Sequence, residues 1–166
     1  MLLKRLLMKT KLIQVSILVK EEQELSKDEQ KLVDEACQAT YRSYAPYSHF
    51  YVGAAVELAD GTIVSGSNQE NAAYPSGLCA ERTAVFYAGA RYPDNPIRRL
   101  CIAARDSGGS PLCRPIAPCG ACRQVLLEAE QRAGRPIEVL LYGTDGIYIV
   151  HSIKDLLPLE FDESFL

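Results

Sequence analysis

The sequence predicts an α/β fold: a three-layer α/β/α structure around one mixed β-sheet of about five strands. Amphipathic helical segments alternate along the chain with short apolar segments typical of strands, which places helices on both faces of a sheet. With 166 residues, 48% of them hydrophobic, the chain is long enough to bury a core. Because no internal repeat or low-complexity linker divides it, we predict a single domain.

The N-terminus, residues 1–25, is predicted to be an extension of that domain, which spans 26–166. Its basic and then apolar residues suggest a signal peptide, but polar residues interrupt the apolar part and no small-residue cleavage site follows. Apolar residues alternate over 13–19, which favours an extra edge strand over a membrane span. Met8 is a candidate natural start.

The first predicted helix starts at Ser26, which forms a capping box with Glu29, and ends before Pro46. Its apolar residues recur at helical spacing. A hairpin follows over 50–67, with its turn at Asp60-Gly61.

The second half continues the alternation of helices and strands. This half is predicted to contain an irregular segment over 67–78, a helix over 79–91 and a strand over 97–104. A Gly/Pro/Ser-rich loop over 106–117 leads to a helix over 119–133 that stops near Gly134. Strands over 137–143 and 147–152 follow, and a short terminal helix or turn begins at Ile153.

Three of the six cysteines stand at the starts of two predicted helices. Cys119 and Cys122 are three positions apart, so they lie on one helix face, and Cys79 occupies the equivalent place on the preceding helix. Helix N-termini favour thiolates, and three thiolates around Zn²⁺ leave a fourth tetrahedral position for water. Arg82, one turn after Cys79, can offset the negative charge by donating to a thiolate.

Glu81 is the residue that favours a catalytic zinc site over a structural one. A structural site needs no adjacent carboxylate, and Glu81 has no basic partner four residues later. Cys79 and Glu81 can both reach a point beyond the helix end, where a carboxylate can exchange protons with a metal-bound water.

Other interpretations of these residues remain open at this point. Cys119 and Cys122 could be a thioredoxin-like redox pair, or the zinc could be structural with His49 or His151 as its fourth ligand. Cys37 and Cys101 stand in apolar segments typical of the core, whereas the sequence does not assign Cys113.

The composition excludes other classes of protein. The net charge of −3 and the scattered basic residues argue against a nucleic-acid partner, and we expect no membrane partner. The cysteine pattern is typical of thiol or metal chemistry in a reducing compartment, which predicts a cytoplasmic location.

Cys-Ala-Glu-Arg at 79–82, followed by Pro-Cys-Gly-Ala-Cys-Arg-Gln at 118–124, resembles the zinc-dependent nucleoside deaminases, specifically the cytidine deaminases. "YAPYSHFYVGAAV", "GSNQENAAYPSGLCAERTAVF" and the closing "DLLPLEF" extend the resemblance over roughly residues 27–163. The first cysteine in place of histidine is similar to the small homotetrameric branch of the family.

The resemblance implies one Zn²⁺ per subunit on Cys79, Cys119 and Cys122, with Glu81 as the proton shuttle. It also implies a set of substrate contacts: Phe50 on the pyrimidine ring, Asn68 and Glu70 on the ribose hydroxyls, the Ala80 N–H and the Ala117 carbonyl on the base, and Tyr74 and Phe161 reaching a neighbouring subunit's site.

The implied reaction is hydrolytic deamination of cytidine and deoxycytidine to uridine and deoxyuridine, with release of ammonia, a pyrimidine salvage step. The alternatives are a deaminase acting on a polynucleotide or a modified nucleoside, and a non-catalytic zinc-binding domain. The sequence departs from the family at residues 1–25, in the long loop over 106–117, and at Ala117, where a hydroxyl residue is more usual.

Overall fold

A computed structural model describes residues 9–166 and shows a mixed six-stranded sheet with three α-helices. Met8 and the residues before it lie outside the described part. The elements in chain order are β1 (Leu18–Lys20), α1 (Lys27–Ala39), β2 (Tyr51–Leu58), β3 (Ile63–Ser67), α2 (Ala80–Arg91), β4 (Ile97–Arg105), α3 (Gly120–Ala133), β5 (Glu138–Leu141) and β6 (Ile147–Val150).

The strand order is β1-β6-β5-β4-β2-β3. Only β4 and β5 pair in parallel, joined by the crossover helix α3, and the other neighbours are antiparallel. The predicted mixed sheet is therefore confirmed, with six strands where about five were expected.

Helices cover both faces of the sheet, which confirms the three-layer prediction. Helix α1 packs against β2, β3 and β4 on one face, over a smaller core that includes Leu32, Ala36 and Cys101. Helices α2 and α3 pack together on the other face, over the larger core around Leu100 and Leu126. Helices α2 and α3, whose starts carry the three cysteines, therefore lie side by side.

Two strand glycines allow the helices to approach the sheet closely. A Cβ atom on Gly53 would lie 2.1 Å from the Ala36 carbonyl oxygen of α1, and one on Gly66 would lie 2.6 Å from the Ala84 nitrogen of α2. Real Cβ atoms do not tolerate such distances, so these glycines determine how near each helix lies to the sheet.

The N-terminal extension supplies the edge strand β1, which pairs with β6 over three residues. This strand is shorter than the alternation over 13–19 suggested, since residues 9–17 form no regular element. Lys20 at the end of β1 forms an ion pair of 2.8 Å with Glu29 of α1. The extension is thereby tied to the body of the domain.

Most predicted boundaries agree with the structure. Ser26 and Glu29 form the expected capping box, and Gly134 ends α3 with a φ of 63°. Helix α1 ends earlier than expected, at Ala39, because the chain tightens into a 3₁₀ turn over Thr40–Arg42. Within residues 9–166, no helix combines the length and apolarity that a membrane span requires.

Candidate active site

The three cysteines singled out above converge at the adjacent N-termini of α2 and α3. Cys79 is the N-cap residue of α2 and Cys119 that of α3, both with extended backbone angles, and Cys122 lies in the first turn of α3. Neither N-cap cysteine forms a side-chain cap hydrogen bond, and the partial positive charge of the helix N-termini favours thiolates there. Packing of α2 against α3 brings the two ends together.

The geometry of the thiols fits a tetrahedral zinc ion. All three Sγ atoms lie within 4.8 Å of one another, and those of Cys79 and Cys119 are 3.8 Å apart. Zn–S bonds of about 2.3 Å at tetrahedral angles place two sulfurs about 3.8 Å apart. Cys122 is buried while Cys119 is exposed, so the cluster is open on one side, as a fourth, exchangeable ligand requires.

The charges around the cluster favour a thiolate at Cys79. The pKa of Cys79 is lowered to about 5, chiefly by a hydrogen bond from the Cys122 thiol and then by Arg82, whose Nη2 lies 3.8 Å from the sulfur. The pKa of Cys122 is raised because its thiol donates to Cys79 and is buried. Such a polarised set of thiols readily exchanges its remaining protons for a metal ion.

Glu81 lies in the first turn of α2 and is almost fully buried, with 4% of its surface exposed. Burial raises the pKa of its carboxyl, and the Cys79 thiolate raises it further, whereas interaction with the Cys122 thiol opposes both. A buried carboxyl with a raised pKa that adjoins a metal-ligand cluster is suited to accept and return protons.

Asn68 and Glu70 brace the segment that carries Phe50. The Asn68 side chain accepts a hydrogen bond from the Val52 N–H (2.8 Å) and donates one to the Phe50 carbonyl (3.0 Å). Glu70 accepts the Tyr47 N–H (3.0 Å) and the Ser48 hydroxyl. These three predicted substrate contacts therefore form one connected patch.

That patch is linked to the cysteine cluster through the backbone. Gln69, between Asn68 and Glu70, pairs with Leu78, the residue before Cys79, through two hydrogen bonds of 2.8 and 2.9 Å. Tyr74 lies on the intervening loop, exposed, with its ring edge-on to Tyr47 at 6.3 Å.

The remaining predicted contacts lie in different surroundings. Ala80 is buried at the start of α2, and Ala117 is exposed just before α3. Phe161 is 57% exposed on the C-terminal segment, where its ring stacks on Phe165 at 5.7 Å. A single subunit thus leaves Phe161 exposed.

The long loop over 106–117 is anchored at its far end. The Leu112 N–H donates to the Ala104 carbonyl of β4, and the Cys113 carbonyl accepts the Asp145 N–H, both at 3.0 Å. The Cys113 side chain is exposed and is not part of the thiol cluster. Cys101 is fully buried and Cys37 partly buried, as expected for core residues.

Sequence reasoning missed two residues that support the site. Ser48 holds Glu70, and Arg123 binds the carbonyl of Pro118 immediately before Cys119. Arg123 belongs to the quoted Cys-Arg-Gln motif, but no spacing rule distinguishes an arginine that reaches back along its own helix from one that faces solvent.

Comparison with known proteins gives concordant matches. Residues 26–134 match the family model for the cytidine and deoxycytidylate deaminase zinc-binding region. A cytidine deaminase of Halalkalibacterium halodurans is 46% identical over 134 residues, which cover 81% of this chain and 94% of the relative. One from Sporosarcina psychrophila is 45% identical, with 84% and 95% coverage.

A solved structure gives the same family as the sequence matches. The crystal structure of a cytidine deaminase from Burkholderia pseudomallei superposes with a TM-score of 0.67 at 42% identity, covering 79% of this chain and 97% of that one.

Proposed function

The chain belongs to the cytidine deaminase family, and we propose that its site hydrolyses cytidine and deoxycytidine to uridine and deoxyuridine, releasing ammonia. The observation that carries the proposal is the burial of Glu81 beside the cluster of Cys79, Cys119 and Cys122. A purely structural zinc site does not need a carboxylate at that place, and burying one next to thiolates carries a free-energy cost.

Glu81 is proposed to carry the protons of the reaction. Its carboxylate accepts a proton from the attacking water and delivers it to N3 of the pyrimidine. It then takes the remaining proton from the added oxygen and passes it to the amino group, which leaves as ammonia while the C4 carbonyl forms. Burial raises its pKa, so the protonated form needed for delivery is easier to reach than it is for an exposed carboxyl.

Cys79, Cys119 and Cys122 would hold the zinc ion, which when bound would supply Lewis-acid chemistry by making a water molecule more acidic. Arg82 offsets part of the negative charge of three thiolates through its contact with Cys79. Without that compensation, the thiolates would make the bound water less acidic.

Substrate selection is assigned to the patch formed by Phe50, Asn68 and Glu70. Phe50 would pack on the pyrimidine ring, and the two polar side chains would bind the ribose hydroxyls. A site that hydrogen-bonds a sugar discriminates strongly against the free base, because its polar groups are then left unpaired. The Ala80 N–H and the Ala117 carbonyl would bind the base itself.

We infer that the protein is a homotetramer with shared sites. Phe161 is exposed in one subunit, and Phe86 and Tyr87 on α2 are 49% and 57% exposed. Large apolar side chains on the helix that carries Glu81 are typical of a subunit interface. A neighbour packed there could place Phe161 and Tyr74 over the pocket.

All six cysteines are free thiols, which supports the proposed cytoplasmic location.

The direct test is ammonia release from cytidine, deoxycytidine and cytosine, with zinc content measured on the same sample. We expect one zinc per subunit, turnover of both nucleosides and little turnover of cytosine. Single-stranded DNA serves as the competing substrate. Release of ammonia from DNA but not from cytidine would overturn the nucleoside assignment, and zinc without any turnover would indicate a non-catalytic domain.

A further inference from the structure

Arg123 joins two segments that are distant in sequence. Its Nε donates to the Pro118 carbonyl at 2.8 Å, and its Nη1 donates to the Leu156 carbonyl at 2.6 Å. Hydrogen bonds from a charged donor are roughly twice as strong as neutral ones. One partly buried guanidinium thus connects the chain just before α3 to the start of the C-terminal segment, residues 157–166.

Both of the connected segments carry predicted substrate contacts. Pro118 lies between Ala117, whose carbonyl is assigned to the base, and the zinc ligand Cys119. Leu156 ends a 3₁₀ turn, after which the chain continues to Phe161. A change at Arg123 therefore affects two segments at once: the one with the Ala117 carbonyl of its own subunit's site, and the one with Phe161, which is assigned to a neighbour's site.

Neighbouring residues of α3 strengthen this connection. Gln124 donates to the Phe161 carbonyl at 2.9 Å. Further along α3, the buried Glu130 accepts hydrogen bonds from the Ile153 N–H at 2.8 Å and from the Ser152 hydroxyl at 2.7 Å. The C-terminal chain is thus held along the flank of the helix that supplies Cys119 and Cys122.

The shape of the guanidinium explains why the residue is an arginine. Arginine presents several N–H donors in a rigid plane, so its Nε and Nη1 can bind two separate carbonyls simultaneously. A lysine ammonium at the end of a flexible stem has no such preset arrangement, so it is expected to hold one carbonyl well and the other poorly.

We propose that Arg123 is a positioning residue for substrate binding: it sets the Ala117–Pro118 backbone and the C-terminal segment relative to each other. The proposal rests on the proposed function only in naming the substrate. Because neither segment supplies the proton shuttle, loss of Arg123 acts on substrate binding more than on the chemical step.

The test compares Arg123→Ala and Arg123→Lys with the wild type, using Arg132→Ala as the matched control. Arg132 is an exposed arginine near the other end of α3. For cytidine we expect Arg123→Ala to raise KM about tenfold with a much smaller change in kcat and full zinc content. Arg123→Lys should give an intermediate KM, and Arg132→Ala should leave KM unchanged.

A second readout does not depend on activity. Chymotrypsin cleaves after exposed aromatic residues, so the release of C-terminal fragments, followed by mass spectrometry, reports how firmly residues 157–166 are held. Cleavage after Phe161 releases residues 162–166. We expect this fragment to appear about tenfold faster from Arg123→Ala than from the wild type or Arg132→Ala.

A double variant separates positioning from general destabilisation. Because Arg123 acts partly through the C-terminal segment, deleting residues 160–166 should raise KM less in Arg123→Ala than in the wild type. An active wild type with unchanged KM and cleavage rate in Arg123→Ala would overturn this inference alone. An inactive wild type would overturn the proposed function, and the cleavage rates would still decide whether Arg123 holds the segment.

Discussion

The sulfur atoms of Cys79 and Cys119 lie 3.8 Å apart, although the two residues are separated by 40 positions in the sequence. Each is the N-cap residue of its helix, and the packing of α2 against α3 brings the two caps together. This relationship brings candidate metal ligands from two helix starts together.

Cys119→Ala should lose zinc as well as activity, because two remaining protein ligands do not form a stable tetrahedral site. Zinc content of the purified variant is the measurement. Cys113→Ala is the matched control, since that exposed thiol lies outside the cluster and its removal should leave zinc and turnover intact. Full zinc occupancy in Cys119→Ala would refute the three-cysteine assignment.

Glu81→Gln should retain zinc and fold while losing turnover, because the amide fills the same buried space but does not carry the proton. Loss of a general acid–base group costs about 10²–10⁴-fold in rate. The measurement is kcat for cytidine beside zinc content and thermal midpoint. Near-normal kcat in a zinc-loaded variant would show that another group moves the proton.

Deletion of residues 160–166 should weaken cytidine binding sharply, because it removes Phe161 from the proposed shared pocket. Deletion of residues 1–7, which lie outside the described part of the chain, is the control and should leave turnover unchanged. KM and kcat of both variants are compared. Light scattering on the full chain should show a tetramer, and a fully active monomer would reject the shared-site model.

Gly66→Ala should destabilise the fold by roughly 1–3 kcal/mol, the usual cost of overpacking. The added Cβ would lie 2.6 Å from the Ala84 nitrogen and 2.9 Å from the Ala80 carbonyl oxygen, which forces α2 away from β3. Denaturant unfolding measures the change.

Gly89→Ala is the opposite case on the same helix. Its Cβ would have only the end of the Arg132 side chain within reach, at 4.0 Å, so the gain in helix propensity should stabilise the protein by about 0.5–1 kcal/mol. Equal effects of the two substitutions would contradict the close packing of α2 on the sheet.

Glu29→Gln should remove part of the acid sensitivity of the fold. Burial raises the pKa of Glu29, but hydrogen bonds from Lys20 and Ser26 outweigh it and lower the pKa from 4.5 to about 2. A group whose pKa is lower in the folded state than in the unfolded state stabilises the protein at pH values above its unfolded-state pKa. That contribution is lost as the pH falls through the folded-state pKa. We expect a loss of about 1–2 kcal/mol between pH 5 and pH 2, after allowance for solvent screening.

The measurement is the free energy of unfolding against pH for wild type and variant. The Gln side chain still accepts the cap N–H, so the variant should differ mainly through the lost ion pair to β1. At neutral pH the wild type should be the more stable. If the two curves stay parallel between about pH 5 and pH 2, the Lys20–Glu29 contact contributes nothing to the acid sensitivity of the fold.

The sequence by itself determined the element order and which residues are proposed to hold the metal. Ser26 with Glu29 marks a helix start, Asp60-Gly61 marks a hairpin turn, and three cysteines with Glu81 at helix starts indicate zinc chemistry, all through local rules of backbone geometry and ligand preference. These features need no knowledge of distant contacts, so they could be identified without coordinates.

Only the tertiary structure decided which residues support the site. The roles of Arg123, at Pro118 and Leu156, and of Ser48, at Glu70, depend on side chains reaching segments that the sequence does not place beside them. The shortness of β1 was also decided there, because a strand depends on pairing with its neighbour, and β1 pairs with β6 over only three residues. Long-range packing, rather than local propensity, determines both outcomes.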